Sequence, residues 1–153
     1  MIHVLFLCLG NICRSPMAEA IFKRMVEGEG LSDRVHVDSA GTGSWHVGER
    51  AHQGTRRVLR QHGIHYEGRA RQIEERDVED DAYIIAMSQS NIDEFRRRFG
   101  AYPRLHRLLD FAENGDVRDV PDPYYTGNFE LVYRLIEDGC RGFLSYIRQQ
   151  ENI

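Results

Sequence analysis

The sequence predicts an α/β fold: a doubly wound, four-stranded parallel sheet with helices on both faces. Two observations lead to this class. Short apolar runs typical of buried strands alternate along the chain with longer segments whose apolar residues recur at helical spacing. The chain has 153 residues, 41% of them hydrophobic, which is enough for one domain with a substantial core. We therefore expect residues 1–153 to form a single domain.

Four segments have the composition of buried parallel strands. Residues 2–7 are nearly all apolar, and residues 82–87 form a second continuous apolar run. Residues 35–37 make a short strand, and residues 105–109 make a fourth that His106 and Arg107 interrupt. Strands covered on both faces need apolar residues on both, so these runs predict the sheet.

Apolar residues at helical spacing indicate four helices, over residues 18–25, 55–62, 92–99 and 129–147. Ser15 is the expected N-cap of the first helix, and Pro16 suits its first turn. Ser88 or Ser90 is expected to cap the third helix, and Gly100 to end it. The acidic residues 74–81 are expected to be exposed. The polar residues 110–127, with Asn114-Gly115 and two prolines, are long enough for a functional loop.

Composition and charge exclude several classes of function. The net charge is −4 with both signs mixed, and the longest basic run, Arg96-Arg97-Arg98, is typical of a solvated helix face, so we expect no nucleic-acid partner. No apolar stretch approaches the roughly 20 residues that cross a bilayer, and no basic leader precedes a cleavage site. Three cysteines fit reduced thiols. We expect a cytoplasmic protein that does not bind membranes.

The segment from Cys8 to Ser15 carries the clearest chemical signal. Cys8 and Arg14 are separated by five residues, in a loop between the first strand and the first helix. A thiolate is a nucleophile, a guanidinium matches phosphate geometry, and the N-terminus of a helix stabilises anions. In doubly wound sheets, ligands bind at the carboxyl ends of the strands. The segment therefore predicts attack of a thiolate on a bound phosphate.

Three competing interpretations of this segment are weaker. A cysteine at the end of a strand often simply packs there, but Gly10, Ser15 and the helix that follows favour the phosphate loop. A metal site on Cys8 and Cys13 lacks further ligands at recognisable spacing, and Arg14 would repel a cation, so we expect no metal. The Gly-Lys-Ser/Thr of a nucleotide-binding loop is absent.

Residues 5–19, Leu-Phe-Leu-Cys-Leu-Gly-Asn-Ile-Cys-Arg-Ser-Pro-Met-Ala-Glu, resemble the signature of the low-molecular-weight protein tyrosine phosphatases. Asp122-Pro123-Tyr124-Tyr125 resembles the second motif of that family. Residues 38–42 and 87–91 fall where the family has related segments, so the resemblance spans essentially the whole chain. The resemblance implies that the predicted fold takes its flavodoxin-like form. It also implies that the protein uses no cofactor.

The resemblance also implies roles for individual residues. Cys8 would form a phosphocysteine intermediate, and Asp122 would act first as general acid and then as general base. Asn11, Ser15 and Ser39 would support the loop. Phosphate or vanadate would be held by the Arg14 side chain and by loop amides, from Leu9, Gly10, Asn11, Ile12, Cys13, Arg14 and Ser15. The implied partners are phosphotyrosine-bearing proteins.

The remaining residues of interest surround this loop. Ile12, Trp45, Tyr124 and Tyr125 are expected to form a cleft for a phenyl ring. In the family, a cysteine at the position of Cys13 can form a disulfide with the nucleophile, and simple packing is an equally good interpretation. Cys140 falls on the apolar face of the last predicted helix, which indicates a structural role.

Two positions depart from the commoner family pattern. Ser88 stands where many members carry aspartate, and Gly68 stands where some place a histidine that supports the loop. Both positions concern the hydrogen bonds behind the loop.

Three competing functions stay open. Protein-arginine phosphatases of this scaffold carry threonine at the position of Ile12 and lack the paired tyrosines. Arsenate reductases need two further cysteines near the third strand, and none lies between Cys13 and Cys140. A binding module without catalysis would lack the nucleophile or the acid, and both are present.

Overall fold

The computed structural model describes residues 1–79, 81–113 and 115–153. Its sheet contains β1 (Ile2–Cys8), β2 (Val35–Gly41), β3 (Tyr83–Ala86) and β4 (Leu105–Arg107). The four strands are parallel in the order β2-β1-β3-β4, which is the flavodoxin-like arrangement and confirms the predicted fold class. Strand β1 is therefore central, with Val4 aligned with Val37 of β2 on one side and with Tyr83 of β3 on the other.

The helices agree with the predicted periodicity. They are α1 (Arg14–Gly28), α2 (Gln53–Gln61), α3 (Glu75–Glu79), α4 (Gln89–Phe99), α5 (Pro123–Thr126) and α6 (Phe129–Glu151). Ser88 is the N-cap of α4, and its Oγ accepts from the N–H of Asn91 at 3.4 Å, as predicted. Within the described residues, no helix is both long and apolar enough to cross a membrane.

Alternate residues of β1 point to opposite faces of the sheet and build two core layers. Phe6 packs with Phe22 of α1 and Phe143 of α6, at ring-centroid distances of 5.5 and 6.2 Å. On the other face, Leu5 and Leu7 lie in a cluster with residues of α4. Helices thus cover both faces, and the loop after β1 emerges between its two neighbours, where strand order reverses.

Three expectations about element boundaries are wrong. The short second strand expected over residues 35–37 continues to Gly41, because it pairs with β1 along its whole length. The fourth strand ends at Arg107, and residues Leu108–Phe111 form a 3₁₀ helix, because Leu108 and Leu109 turn into the core beneath α6. Ser15 is not a helix cap: α1 begins at Arg14 with Cys13 at the N-cap position, and the Ser15 hydroxyl lies beside the Cys8 sulfur.

The polar segments contain more structure than expected. The acidic residues 74–81 include α3, where Asp77 is mostly covered by its contact with Arg71. The polar residues 110–127 include α5. Asp80 of the first segment and Asn114 of the second lie outside the described residues.

Helix α6 approaches the 3₁₀ helix closely because two of its residues are glycines. A Cβ atom added at Gly139 would lie 2.7 Å from Cγ of Leu108. A Cβ at Gly142 would collide with the backbone carbonyl of Phe111. A backbone atom cannot rotate away as a side chain can, so α6 must move if Gly142 is replaced.

We expect Gly142→Ala to lower the free energy of unfolding by about 1–3 kcal/mol, because overpacking outweighs the better helix propensity of alanine. Gly28→Ala, at the end of α1, is the matched control, since no heavy atom lies within 4 Å of its added Cβ. Urea denaturation of both variants measures the difference. Equal stabilities for the two variants would contradict the close packing of α6.

Candidate active site

Residues 9–13 join β1 to α1 and leave their N–H groups available to a ligand. The carbonyl of Leu9 accepts from the N–H of Gly43 at 3.0 Å, and that of Ile12 accepts from His52 at 2.7 Å. None of the N–H groups of residues 9–13 donates to an acceptor in the described part of the chain. A loop with carbonyls held at both ends and with unengaged N–H groups suits an anion.

The Cys8 sulfur lies at the N-terminus of α1. Cys8 is the last residue of β1, and its Sγ lies 3.0 Å from the Ser15 hydroxyl oxygen. The N–H of Ser15, in the first turn of α1, donates to the same sulfur at 3.4 Å. The sulfur thus faces both the hydroxyl and the N–H of Ser15 at the N-terminus of α1, where the helix presents the positive end of its dipole.

The buried side chain of Asn11 organises the loop from behind. Its Nδ2 donates to Ser15 Oγ at 2.7 Å and to Ser39 Oγ at 3.0 Å, and its Oδ1 accepts from the N–H of Arg71 at 3.0 Å. Asn11 has φ 57°, and asparagine tolerates this left-handed region better than most residues do. The left-handed turn of the loop is therefore made at Asn11 and not at Gly10. Asn11, Ser15 and Ser39 lie where support was expected.

The role of Gly10 is to leave space beside the loop for the His46 side chain. A Cβ atom at this position would lie 2.9 Å from Cδ2 of His46. The absence of a side chain therefore lets the segment that carries His46 approach the loop.

Arg14 joins the loop to the distant segment that carries Asp122. Its Nη1 donates to the carbonyl of Val120 at 3.2 Å, and its Nη2 lies 3.5 Å from Asp122 Oδ2. Asp122 is the N-cap of α5, and its Oδ1 accepts from the N–H of Tyr124 at 3.1 Å. Pro123 occupies the first helical position, as prolines often do. The cap fixes one carboxylate oxygen and leaves the other beside the guanidinium.

Cys8, Arg14 and Asp122 face one cavity of about 390 Å³. Its lining comprises Cys8, Leu9, Gly10, Ile12, Cys13, Arg14, Trp45, His46, Asp122, Tyr124 and Tyr125. Ile12 is buried in its wall, whereas Trp45 and Tyr125 are 72% and 79% exposed at its mouth. The cavity thus has a sulfur and two charged groups in its interior and aromatic rings at its rim. All four expected cleft residues line it.

Two histidines lie near Tyr124 without any signal in the sequence: His46, which lines the cavity, and His52, which does not. The ring of His46 lies 6.2 Å from the ring of Tyr124, and the ring of His52 lies 5.9 Å from it. Each is an isolated histidine in a loop, a pattern that predicts nothing by itself. Among the residues that the structure describes, no group of three His, Cys, Asp or Glu side chains is placed to hold a metal ion.

The support behind the loop also includes an arginine that the sequence does not indicate. Arg71 Nη2 contacts Asp38 at 2.8 Å, and the guanidinium makes a two-pronged contact with Asp77 at 3.0 and 2.9 Å. Burial opposes the charge of Arg71, but the two carboxylates raise its pKa. Burial also opposes the charge of Asp77, and the hydrogen bonds from Arg71 nevertheless lower its pKa. The charged cluster therefore holds the Arg71 backbone against Asn11.

Ser88, which departs from the commoner family pattern, leaves the first turn of α4 without a carboxylate of its own. Asp119 supplies one instead: its Oδ1 accepts from the N–H of Gln89 at 3.0 Å and from Arg107 at 3.2 Å. Asp119 precedes Asp122 by three residues. The contact therefore ties the loop of Asp122 to the start of α4.

The three cysteines are free thiols, and two of them, Cys8 and Cys13, line the cavity. Burial raises the pKa of Cys13 to about 12, and the nearby Cys8 and Asp122 also act to raise it. Cys13 is therefore a protonated thiol near neutral pH. Cys140 is fully buried in the core on α6, in agreement with its position on the apolar face of the predicted helix.

A thiol, a guanidinium, a carboxylate and unengaged amides around one cavity are the groups that phosphoryl transfer to sulfur requires, so the fold and site define a candidate phosphatase. Residues 3–152 match the family described as low molecular weight phosphotyrosine protein phosphatase. The low molecular weight protein-tyrosine-phosphatase YfkJ of Bacillus subtilis is 51% identical over the full length of both chains. Its crystal structure has a TM-score of 0.94 and covers 98% of this chain and 96% of that one.

Two further comparisons bear on function. The protein-tyrosine-phosphatase PtpA of Staphylococcus epidermidis is 46% identical over 100% of this chain and 98% of its own. A structure named as a Drosophila arginine phosphatase is 34% identical, with a TM-score of 0.85 over 97% of this chain and 98% of that one. The chain belongs to the low molecular weight phosphotyrosine protein phosphatase family, and it is an enzyme of the hydrolase class.

We expect iodoacetamide at about pH 8 to label Cys8 more than about tenfold faster than Cys13, because a pKa of about 12 leaves little Cys13 thiolate. The Cys13 rate should then rise about tenfold per pH unit between about pH 8 and 10, as its thiolate fraction does. Tandem mass spectrometry locates the label, and buried Cys140 should stay unmodified in native protein. Equal labelling of Cys8 and Cys13 would contradict this difference between the two loop thiols.

Proposed function

We propose that the chain hydrolyses phosphotyrosine in proteins through a phosphocysteine intermediate on Cys8. The observation that carries this proposal is that the Cys8 sulfur, the Arg14 guanidinium and the Asp122 carboxylate line one cavity, although Asp122 is more than a hundred residues away in the chain. Membership of the phosphatase family supports it.

In the first step the Cys8 thiolate attacks phosphorus, so that the S–P bond forms as the bond from phosphorus to the phenolic oxygen breaks. The Arg14 guanidinium and the amides of residues 9–15 bind the other phosphate oxygens. Protonated Asp122 gives its proton to the leaving phenolate. Catalysis then consists mainly of positioning and charge stabilisation, and the unengaged N–H groups of the loop support this role.

In the second step a water molecule attacks the phosphocysteine. Asp122, now a carboxylate, accepts a proton from the water as its oxygen bonds to phosphorus. The S–P bond breaks, inorganic phosphate leaves and the Cys8 thiolate is restored. Vanadate is expected to bind in the same place because it offers the same oxygens to the loop.

The shape of the cavity favours phosphotyrosine as the substrate. The sulfur lies below a rim of aromatic rings, where Tyr124 and Tyr125 pack edge to face at 5.2 Å. A phenyl ring can lie against such rings while its phosphate reaches Cys8, whereas phosphoserine is too short. Phosphoarginine is the second candidate, which the relation to the Drosophila enzyme supports, but Ile12 and the paired tyrosines favour phosphotyrosine.

Arsenate reduction and phosphotyrosine binding without catalysis have less support. Arsenate reduction needs two cysteines in addition to the nucleophile. Apart from Cys8 and Cys13 the chain has only Cys140, which is buried in the core. A module that only binds phosphotyrosine would not need Cys8 and Asp122 in the same cavity.

We also propose that Cys13 protects Cys8 from irreversible oxidation. A peroxide would convert the Cys8 thiolate to a sulfenic acid, and the Cys13 thiol would condense with it to a disulfide with loss of water. The position of both cysteines in one loop supports this role. Three free thiols support a reducing, cytoplasmic setting, with residues 1–153 acting as one domain.

The wild-type protein is expected to release phosphate from phosphotyrosine peptides without added metal, and Cys8→Ser is expected to release none while still binding vanadate. Parallel assays with phosphoarginine peptides test the second candidate. Preference for phosphoarginine would keep the mechanism and overturn the substrate. Residual turnover by Cys8→Ser above the protein-free blank would remove Cys8 as the nucleophile.

Asp122→Ala is expected to slow hydrolysis of aryl phosphates with poor leaving groups by about 10²–10⁴-fold, because these need a proton on the departing oxygen. Activated aryl phosphates, whose phenolates leave unaided, should lose much less. Measurement of kcat across a series of leaving groups tests this. Equal losses across the series would argue against Asp122 as the acid.

A further inference from the structure

A continuous path of hydrogen bonds leads from the Cys8 sulfur to the far side of α1. It passes through Ser15 and Asn11 to Ser39. Ser39 Oγ then donates to Glu19 Oε1 at 2.6 Å, and the Tyr66 hydroxyl donates to the same oxygen at 2.9 Å. Glu19 lies on α1, and Tyr66 lies in the segment after α2. Neither Glu19 nor Tyr66 lines the catalytic cavity.

We propose that Tyr66 and Glu19 are positioning residues that direct the Ser15 hydroxyl proton toward the Cys8 sulfur. This inference rests on the proposed role of Cys8 as nucleophile. The two residues act only through the path, at the end opposite the sulfur.

The direction of each hydrogen bond follows from the number of protons available. Both N–H bonds of the Asn11 amide are used, one on Ser15 and one on Ser39, so each serine accepts from Asn11 and must donate elsewhere. Ser39 donates to Glu19. Ser15 has the Cys8 sulfur at 3.0 Å, whereas its other acceptor, the carbonyl of Ala40, is 3.5 Å away. Because the Glu19 carboxylate accepts from Ser39, Ser39 in turn accepts from Asn11. The second N–H of Asn11 then goes to Ser15, which donates its own proton to the Cys8 sulfur.

Tyr66 helps to keep Glu19 an acceptor. Burial raises the pKa of Glu19 above its usual value, and the hydrogen bonds from Ser39 and Tyr66 limit that rise. Asp38 on β2 acts to raise it, and Lys23 on α1 acts to lower it. Burial and the neighbouring Glu19 raise the pKa of Tyr66, so its hydroxyl stays a donor. A cavity of about 470 Å³ adjoins both residues, and its other charged or titratable side chains are those of Lys23, Arg24, Glu27, His65 and Glu67.

Gly68 allows Tyr66 to take this position. A Cβ atom at Gly68 would collide with the Tyr66 hydroxyl and with Cζ of its ring. Gly68→Ala should therefore displace the hydroxyl from Glu19 without removing it. The glycine that departs from the commoner family pattern lies beside the tyrosine that takes part in the path.

The test compares Tyr66→Phe and Gly68→Ala with wild type in two measurements. The first is the rate of Cys8 alkylation by iodoacetamide as a function of pH, with the label located by tandem mass spectrometry. The second is kcat and KM for an aryl phosphate. Both variants are expected to slow alkylation at about pH 6 and to lower kcat, each about threefold to tenfold, which is the effect of one hydrogen bond. KM should change less than about twofold.

Tyr83→Phe is the matched control. The Tyr83 hydroxyl also donates to a glutamate, Glu151, at 2.7 Å, but between β3 and α6 and away from the loop. This variant should leave Cys8 alkylation at the wild-type rate. Thermal unfolding followed by circular dichroism identifies variants that are merely unfolded, and Gly68→Ala provides the test if Tyr66→Phe does not fold.

The outcomes distinguish the inference from the proposed function. Wild-type alkylation profiles in folded Tyr66→Phe or Gly68→Ala would overturn the inference, as would an equal change in Tyr83→Phe. If wild type released no phosphate from any phosphopeptide while Tyr66→Phe still slowed Cys8 alkylation, the proposed function would fail and the positioning role would stand. Normal turnover by all three variants would leave the proposed function intact and remove the positioning role.

Discussion

The structure of the loop between β1 and α1 depends on one buried amide, that of Asn11. Its two N–H bonds and its carbonyl reach three different segments: α1 at Ser15, β2 at Ser39 and the segment between α2 and α3 at Arg71. The left-handed backbone at Asn11 is held by these contacts, which outweigh its conformational cost. The shape of the loop is therefore set by the packing of separate elements around one side chain, and the loop sequence alone does not account for it.

A second constraint connects the loop to the segment that carries the proposed acid. Arg14 bonds the carbonyl of Val120, and the N–H of Val120 donates to the carbonyl of Met87 at the end of β3. Asp119 accepts from the first N–H of α4. The carboxyl ends of β1 and β3 thus support both chemical groups. This is how a doubly wound sheet assembles a site from loops that are distant in sequence.

What can be predicted from the sequence follows from the range of the interactions. The strands, the long helices and the residues from Cys8 to Ser15 have local signatures, and Asp122 lies in a distinctive motif. Tyr66 and Arg71 do not, and the motif that ends at Glu19 gives no sign of its contacts, because these hydrogen bonds join residues 20 to 60 positions apart. The expected Ser15 cap is wrong for a related reason: the sulfur of a residue seven positions earlier lies beside its hydroxyl. The expected fourth strand is too long because its last two residues, both leucines, fit a 3₁₀ turn in the core equally well.

The position of Trp45 has a spectroscopic consequence. The chain contains one tryptophan among seven tyrosines, and that tryptophan is largely exposed at the mouth of the catalytic cavity. Its indole emission therefore originates from a single point at the rim of this cavity, with no contribution from a second indole in the core. We expect a ligand that enters the cavity to cover part of that ring and to change its emission, so that intrinsic fluorescence follows occupancy of the cavity. The chain thus carries an intrinsic optical reporter at the mouth of the cavity that Cys8 and Arg14 line.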